Sequence, residues 1–284
     1  MKRLIVLLGV VGISTSAIWV RWSTAPSLVL VLYRMSLAAL LLLPAVVRNR
    51  EELKKLTRRD WLMTMAAGCC LGLHFASFFE GVRNTTIVAS SLLSDTEVLF
   101  VAAGSILFLG RKFSRRSWVA LCIALVGAIM VALAGSSDGM PTLWGNALSL
   151  LSALLLGMYT MIGSECRQRV SNATYTFVAY CFAAATVLVV AVGSGTPLGG
   201  YGAVNWLTAL AMAVVCTLLG HSIFTWGLKY LSPAYISMVK LLDPLFAAVW
   251  GLFFHEMPTA LVLVGGVIVV AGVALYGRAT EESA

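Results

Sequence analysis

Long apolar runs recur along the whole chain, each ended by a short loop, and the basic residues gather in every second loop. A transmembrane helix needs about 20 mostly apolar residues. Runs of that kind are read at Leu4–Val20, Pro26–Val47, Trp61–Glu80, Thr86–Leu109 and Ser117–Leu133. A second series follows at Leu143–Gly163, Thr174–Val192, Val204–Leu228, Pro233–Phe254 and Thr259–Tyr276. With 60% hydrophobic and 11% charged residues, the chain holds too few charges to clothe these runs in water, since a soluble domain carries roughly 25%. Lipid must therefore be the second solvent, and in lipid a helix satisfies its own backbone polar groups. The expected fold class is an all-α membrane protein of ten transmembrane helices.

A net charge of +8 is compatible with a nucleic-acid partner, but its placement argues against one. Sixteen of the 20 Lys and Arg fall in segments on one side of such a ten-span arrangement, and only Arg21 and Arg83 fall on the other. Arg34 and Lys240 remain inside spans. The side rich in Lys and Arg faces the cytoplasm, so both termini are expected there. Met1-Lys2-Arg3 before an apolar stretch could open a signal peptide, yet the run continues into a regular series of hairpins. The six cysteines form no C-x-x-C pair, so neither a disulfide framework nor a zinc site is implied. No cofactor and no metal are expected. The charged loop Arg48–Asp60 reads as a short interfacial helix in contact with anionic lipid.

The chain also repeats itself. Phe78-Phe-Glu-Gly-Val-Arg83 and Leu93-Ser-Asp-Thr-Glu-Val-Leu-Phe100 align with Phe224-Thr-Trp-Gly-Leu-Lys229 and Val239-Lys-Leu-Leu-Asp-Pro-Leu-Phe246. One constant offset places Gly81 on Gly227, Arg83 on Lys229, Ser91 on Ser237 and Glu97 on Asp243, and an offset longer by one places Tyr33 on Tyr180. Five spans per half is an odd number, so the second half enters the membrane from the opposite side. The expected organisation is two inverted five-helix repeats, residues 1–134 and 143–278, as alternating-access carriers use.

Charged groups inside spans are costly and mark pairs or water-filled pathways. Five stand out: Arg34, Asp95, Glu97, Lys240 and Asp243. In a purely structural reading Lys240 pairs with Asp243 one turn away and Arg34 faces Glu97. In a functional reading the five share a solvated central cavity, where acidic groups take an amine or a proton and basic groups take a carboxylate. Glu97 and Asp243 are then the candidates for proton coupling. Asp95 is the weakest of the set, because it can face another side of its helix. His74 and His221 are either buried neutral histidines or cavity contacts, and Phe78 shares a face with His74. Ser90 and Ser94 lie on the Glu97 face, where serine is often helix glue. Tyr159 and Trp226 complete the candidate substrate contacts, and Trp19, Tyr33, Tyr180 and Trp250 are further aromatics that could line a cavity. Pro244 should kink the ninth span and serve as a gate; Val98 stands in its place in the first half, so the halves should not bend alike.

These residues resemble a family. Trp19-Val-Arg21, Pro26 and Arg34, then Leu219-Gly-His-Ser-Ile-Phe-Thr-Trp226 through Leu228-Lys-Tyr-Leu-Ser-Pro233, look like landmarks of the drug/metabolite transporter superfamily, specifically its EamA-type members. Asp243-Pro-Leu-Phe-Ala247, Glu256 and Gly265–Gly272 are similar to that family's ending. Thr96-Glu97-Val98, Gly110-Arg111, Lys240 and the aspartate at 243 depart from the usual pattern. The resemblance implies export or exchange of amino acids, related metabolites or amphiphilic compounds. The expected function is a secondary transporter of small polar or zwitterionic metabolites, by export or exchange, with proton coupling as an option. The chain is expected to be no enzyme, and no G-x-x-x-x-G-K-[ST] loop supports ATP hydrolysis. Multidrug or amphiphilic-cation efflux is the alternative. An intramembrane lipid enzyme would call for clustered catalytic residues that the sequence lacks. The expected partners are a small-molecule substrate and the lipid bilayer, with no nucleic acid, in a monomer or weak homodimer. The expected home is a bacterial inner membrane.

Overall fold

The computed structural model describes residues 2–281 except 86, 109, 111, 135–142 and 252–259. Residues 135–142 between the two expected repeats, with Arg111, Phe254, Glu256 and Thr259, thus lie outside the described residues. Every element among the described residues is a helix. In chain order they are α1 (Lys2–Ser14), α2 (Ser16–Trp22), α3 (Ser27–Arg48), α4 (Arg50–Lys55), α5 (Arg58–Asn84), α6 (Ile87–Asp95), α7 (Glu97–Leu107), α8 (Arg115–Ala134), α9 (Leu143–Cys166), α10 (Asn172–Gly193) and α11 (Ala203–Ala211). A π-helical segment at Met212–His221 leads into α12 (Ser222–Gly227), followed by α13 (Pro233–Lys240), α14 (Asp243–Gly251) and α15 (Ala260–Glu281). Six helical stretches are long and apolar enough to cross a membrane: Lys2–Trp22, Ser27–Arg48, Arg58–Asn84, Leu143–Cys166, Asn172–Gly193 and Ala203–Gly227. The chain is a multi-pass membrane protein.

Lipid tails are as apolar as a leucine side chain, so helices associate here through close packing rather than through exclusion of water. Glycine permits the approach. A Cβ on Gly72 would come to 2.7 Å from the Ala183 carbonyl oxygen where α5 crosses α10, and one on Gly12 to 2.7 Å from the Val215 carbonyl oxygen where α1 meets the π-helix. Gly127 and Gly272 do the same between α8 and α15. The buried apolar side chains form two clusters. One is built on α3, α5, α9, α10 and the π-helix, and the other on α1, α7, α8, α13 and α15. The polar side chains described below sit between them.

Two helices are interrupted at matching places. α6 stops at Asp95 and α7 starts at Glu97, with Thr96 between; α13 stops at Lys240 and α14 starts at Asp243. Around each break the backbone tightens to three-residue steps: Thr96 N–H donates to the Leu93 carbonyl, and Leu241 N–H and Leu242 N–H donate to those of Met238 and Val239. The Thr96 hydroxyl donates to the same Leu93 carbonyl, at 2.5 Å. A kink was expected only beside Pro244, which has no N–H to give. The first half breaks without a proline, because the Thr96 hydroxyl competes for the carbonyl that the helix would use. The Pro244 backbone is the second residue of α14.

The expected interfacial helix is α4, and it is docked. The Glu52 carboxylate accepts hydrogen bonds from the Ser171 backbone N–H and hydroxyl and from the Thr174 hydroxyl. It thereby places a negative charge at the N-terminus of α10, where the helix dipole favours one. Partial burial pushes the Glu52 carboxyl up, but these hydrogen bonds outweigh burial and hold it below the usual carboxylate range.

Candidate substrate site

The helix breaks bring charge together in the interior. Lys240, at the end of α13, extends its ammonium to Glu97, at the start of α7, and donates to Oε1 at 2.8 Å. Both side chains are almost wholly buried, at 3% and 0% exposure. This corrects two expected pairings: Lys240 does not bond Asp243, and Glu97 does not face Arg34. The turn at Leu241-Leu242 removes the helical register that would have stacked Lys240 on Asp243, and the matching break at Thr96 turns Glu97 toward α13.

Arg34 is instead held between α2, α5 and the π-helix. Its Nε donates to the Thr217 hydroxyl at 2.7 Å and its Nη1 to that of Ser16 at 3.2 Å. The guanidinium lies over the Phe75 ring, 4.0 Å from the centroid. A buried cation with an aromatic face and two hydroxyls is partly compensated.

Between these two cations lies a small cavity of about 40 Å³, lined by Ser16, His74, Phe75, Phe78, Ser91, Ser94, Asp95, His221, Lys240 and Asp243, with Ile13 and Leu156 as its apolar walls. That volume holds a water or two and no organic metabolite. The ring centroids of His74 and His221 are 6.2 Å apart across it. His74 is oriented by Ser152, whose carbonyl and hydroxyl both meet Nδ1, at 3.0 and 2.9 Å. The Ser152 hydroxyl also pairs with Ser94 on α6 at 3.0 Å. Ser90 pairs with Ser149 of α9 at 2.9 Å, so it acts as helix glue, as anticipated. Several charged atoms are left over: Asp95 Oδ2, Glu97 Oε2, Asp243 Oδ1 and Arg34 Nη2 are buried without a hydrogen-bond partner. Buried polar atoms are nearly always satisfied, and exceptions need a reason. The three carboxyl oxygens gather at this cavity around Lys240.

Of the residues singled out from the sequence, His74, Phe78, His221, Lys240 and Asp243 line this cavity, while Glu97 and Arg34 abut it through Lys240 and Phe75. Tyr159 and Trp226 are not among its walls. Tyr159 pairs with the Thr225 hydroxyl at 3.0 Å, and Trp226 packs on Tyr230. Among the other aromatics, Tyr33 stacks on Trp206, Tyr180 pairs with Ser222, and Trp250 donates to Ser14. Sequence reasoning ranked Asp95 last, yet it lines the cavity, and it passed over Ser16 altogether. Asp95 could have been found had Thr96 been read as a break; nothing in the sequence marks Ser16.

Polar ties join the helices near both ends of α5, on either side of the cavity-lining His74. On one face, Asn205 Oδ1 accepts from the Ser23 hydroxyl and from the backbone N–H groups of Thr24 and Ala25. Arg83 donates to the Ala25 carbonyl at 2.7 Å beside it. On the basic face, buried Arg167 donates to the carbonyls of Thr225 and Val170, and Arg169 forms an ion pair with Asp60 at 3.2 Å.

Comparison with known proteins shows the family and the fold. A model of the EamA-like transporter family matches residues 2–133 and 143–278. The pseudopaline exporter CntI of Pseudomonas aeruginosa is 27% identical over 255 residues, covering 89% of this chain and 87% of the relative. An uncharacterized transporter of Archaeoglobus fulgidus is 24% identical over 253 residues, covering 87% and 86%. One solved crystal structure superposes with a TM-score of 0.79 at 13% identity, covering 100% of this chain and 99% of the other, and so shares its fold. The chain belongs to the EamA-like transporter family.

Proposed function

We propose that this transporter is a secondary carrier that moves small zwitterionic metabolites, amino acids or their relatives, out of the cell by alternating access. The observation that carries the proposal is the buried Lys240–Glu97 pair at two matching helix breaks, with unpartnered oxygens of Asp95, Glu97 and Asp243 beside it. The three carboxylates face a single ammonium. A zwitterion offers both missing partners at once: its carboxylate takes Lys240 in competition with Glu97, and its ammonium settles among Asp95 and Asp243. Exchange of one ion pair for another spares both partners an uncompensated buried charge. The cavity is too small for such a guest, so substrate entry must coincide with release of one of the two sets of polar ties.

Ten spans in two inverted repeats, with both termini in the cytoplasm of a bacterial inner membrane, supply two related states for this alternation. The matched breaks at Thr96 and Leu241-Leu242, and the meeting of His74 with His221, support that symmetry. A carboxyl group that is hydrated in one state and dry in the other couples proton movement to the cycle, and Glu97 and Asp243 are the groups so placed. The Pseudomonas relative named as a pseudopaline exporter favours the outward direction. Lipophilic-cation efflux fits less well, because a cation would meet Lys240 and Arg34 in the same space.

The test is reconstitution in liposomes while a panel of amino acids and related metabolites is added and internal pH and charge movement are followed. Movement of one zwitterionic class, lost in Glu97→Gln and Asp243→Asn, is the expected result. Transport confined to lipophilic cations, or unaffected by both substitutions, would overturn the reading.

A further inference from the structure

The outer surface of the α8–α15 pair carries a second feature that the transport reading does not use. At the basic face, Arg115 and Arg116 from the start of α8 and Arg278 from the end of α15 surround a depression of about 630 Å³ floored by Val119, Ala120, Leu275 and Ala279. An apolar groove of about 400 Å³ continues from it along α8, sharing Arg115 and Val119 and running past Trp118, Cys122, Ile123 and Val126 to Ile268. The three arginine side chains are exposed, and Arg115 and Arg278 meet no carboxylate among the described residues. The arginines come from opposite ends of two antiparallel helices. Close glycine contacts at Gly127 and Gly272 hold those helices together, so the cluster is fixed by packing and does not depend on loop conformation.

We infer that this surface is a binding site for one anionic phospholipid: the arginines take the headgroup phosphate and the α8 groove takes an acyl chain. The shape supports a lipid over a free anion, because the charged cup opens directly into an apolar channel that a soluble phosphate has no use for. Charge complementarity supports an anionic lipid over a neutral one, since guanidinium pairs with phosphate in a bidentate fork and Arg115 and Arg278, which meet no carboxylate among the described residues, gain most from a net negative headgroup. The inference needs only that the chain lies in a membrane, so it stands apart from the identity of the substrate.

Trp118, 41% exposed in the groove, is the reporter. The protein is reconstituted in phosphatidylcholine bilayers doped with phosphatidylglycerol, and one or the other lipid carries brominated acyl chains that quench tryptophan. The difference between the intact chain and Trp118→Phe isolates Trp118 from the other tryptophans. The expected result is preferential quenching by brominated phosphatidylglycerol, about fivefold for each arginine engaged, and its loss in Arg115→Gln/Arg278→Gln. An unchanged thermal unfolding profile shows that the double variant is folded. Equal quenching by both lipids would overturn the inference, as would a preference that survives in the double variant or shielding of Trp118 from every brominated lipid by a second copy of the chain. Abolition of the preference by millimolar inorganic phosphate would also overturn it, by making the cup a site for a soluble anion.

Discussion

Lys240→Met removes the one ammonium among three buried carboxylates, and its cost can be worked from the geometry. At 2.8 Å the pair attracts by about 6 kcal/mol at an effective dielectric of 20, a gross figure that desolvation of both groups largely offsets. Removal of one partner leaves that desolvation uncompensated and costs about 3–5 kcal/mol. Removal of both, as in Glu97→Met/Lys240→Met, takes one buried carboxylate away with the ammonium but leaves Asp95 and Asp243 without a cation, so it is expected to recover part of that cost. The two single variants should differ. Without Lys240, Glu97 keeps two acidic neighbours and no cation; without Glu97, Lys240 still has Asp95 and Asp243 on the same cavity. Glu97→Gln should therefore be the milder change. Tryptophan-monitored thermal unfolding in detergent at one fixed scan rate reads the difference as an apparent Tm. At about 2–4 °C per kcal/mol, Lys240→Met should lose roughly 6–20 °C and the double variant should recover part of it. Additive losses in the double variant, or a Glu97→Gln variant worse than Lys240→Met, would refute the pairing.

Three further outcomes follow from the packing and the ends of the helices. Arg34→Lys keeps the charge but loses the fork to Thr217 and Ser16 and the stack on Phe75; it should cost about 2–3 kcal/mol, and an unchanged unfolding temperature would show that the fork is dispensable. Gly72→Ala drives a methyl against the Ala183 carbonyl and should cost about 1–3 kcal/mol, whereas Gly193→Ala, with open space around it, should be neutral; equal effects at the two sites would contradict the close crossing of α5 and α10. Glu52→Gln loosens α4 from α10 and should cost about 1 kcal/mol at neutral pH, given its partial exposure. Because the folded Glu52 carboxyl is held low, its contribution is present above the unfolded value near 4.3 and fades as pH falls through the lowered folded value. The stability gap between wild type and Glu52→Gln should thus close in acid, and a gap that persists there would mean that charge is not its source.

The helical class and the buried charges were legible in the sequence because lipid tolerates few exceptions: an apolar run or an intramembrane Arg34 announces itself. Which charge meets which was not legible. A pairing of Lys240 with Asp243 assumes an unbroken helix, and the chain breaks between them. Proline drew attention to the second break. The first break is made by Thr96, a residue common enough in spans to carry no signal, and with it went the correct placement of Asp95 and Glu97. Ser152, which orients His74, and Ser16, which holds Arg34, act through contacts between distant helices, which no local pattern encodes. Tyr159 and Trp226 failed as wall residues for the opposite reason: being aromatic in a span says little about which neighbour the ring meets.

The central claim is that the cluster at the two helix breaks is where the carried molecule binds. Liposomes loaded with an unlabelled amino-acid mixture and diluted into a trace of the same labelled mixture test it by counterflow, which needs binding and alternation but no external driving force. The account predicts counterflow in the wild type and in Tyr159→Phe, and its loss in Lys240→Met and Asp243→Asn at matched amounts of folded protein. Counterflow at wild-type rates in both cluster variants would contradict it.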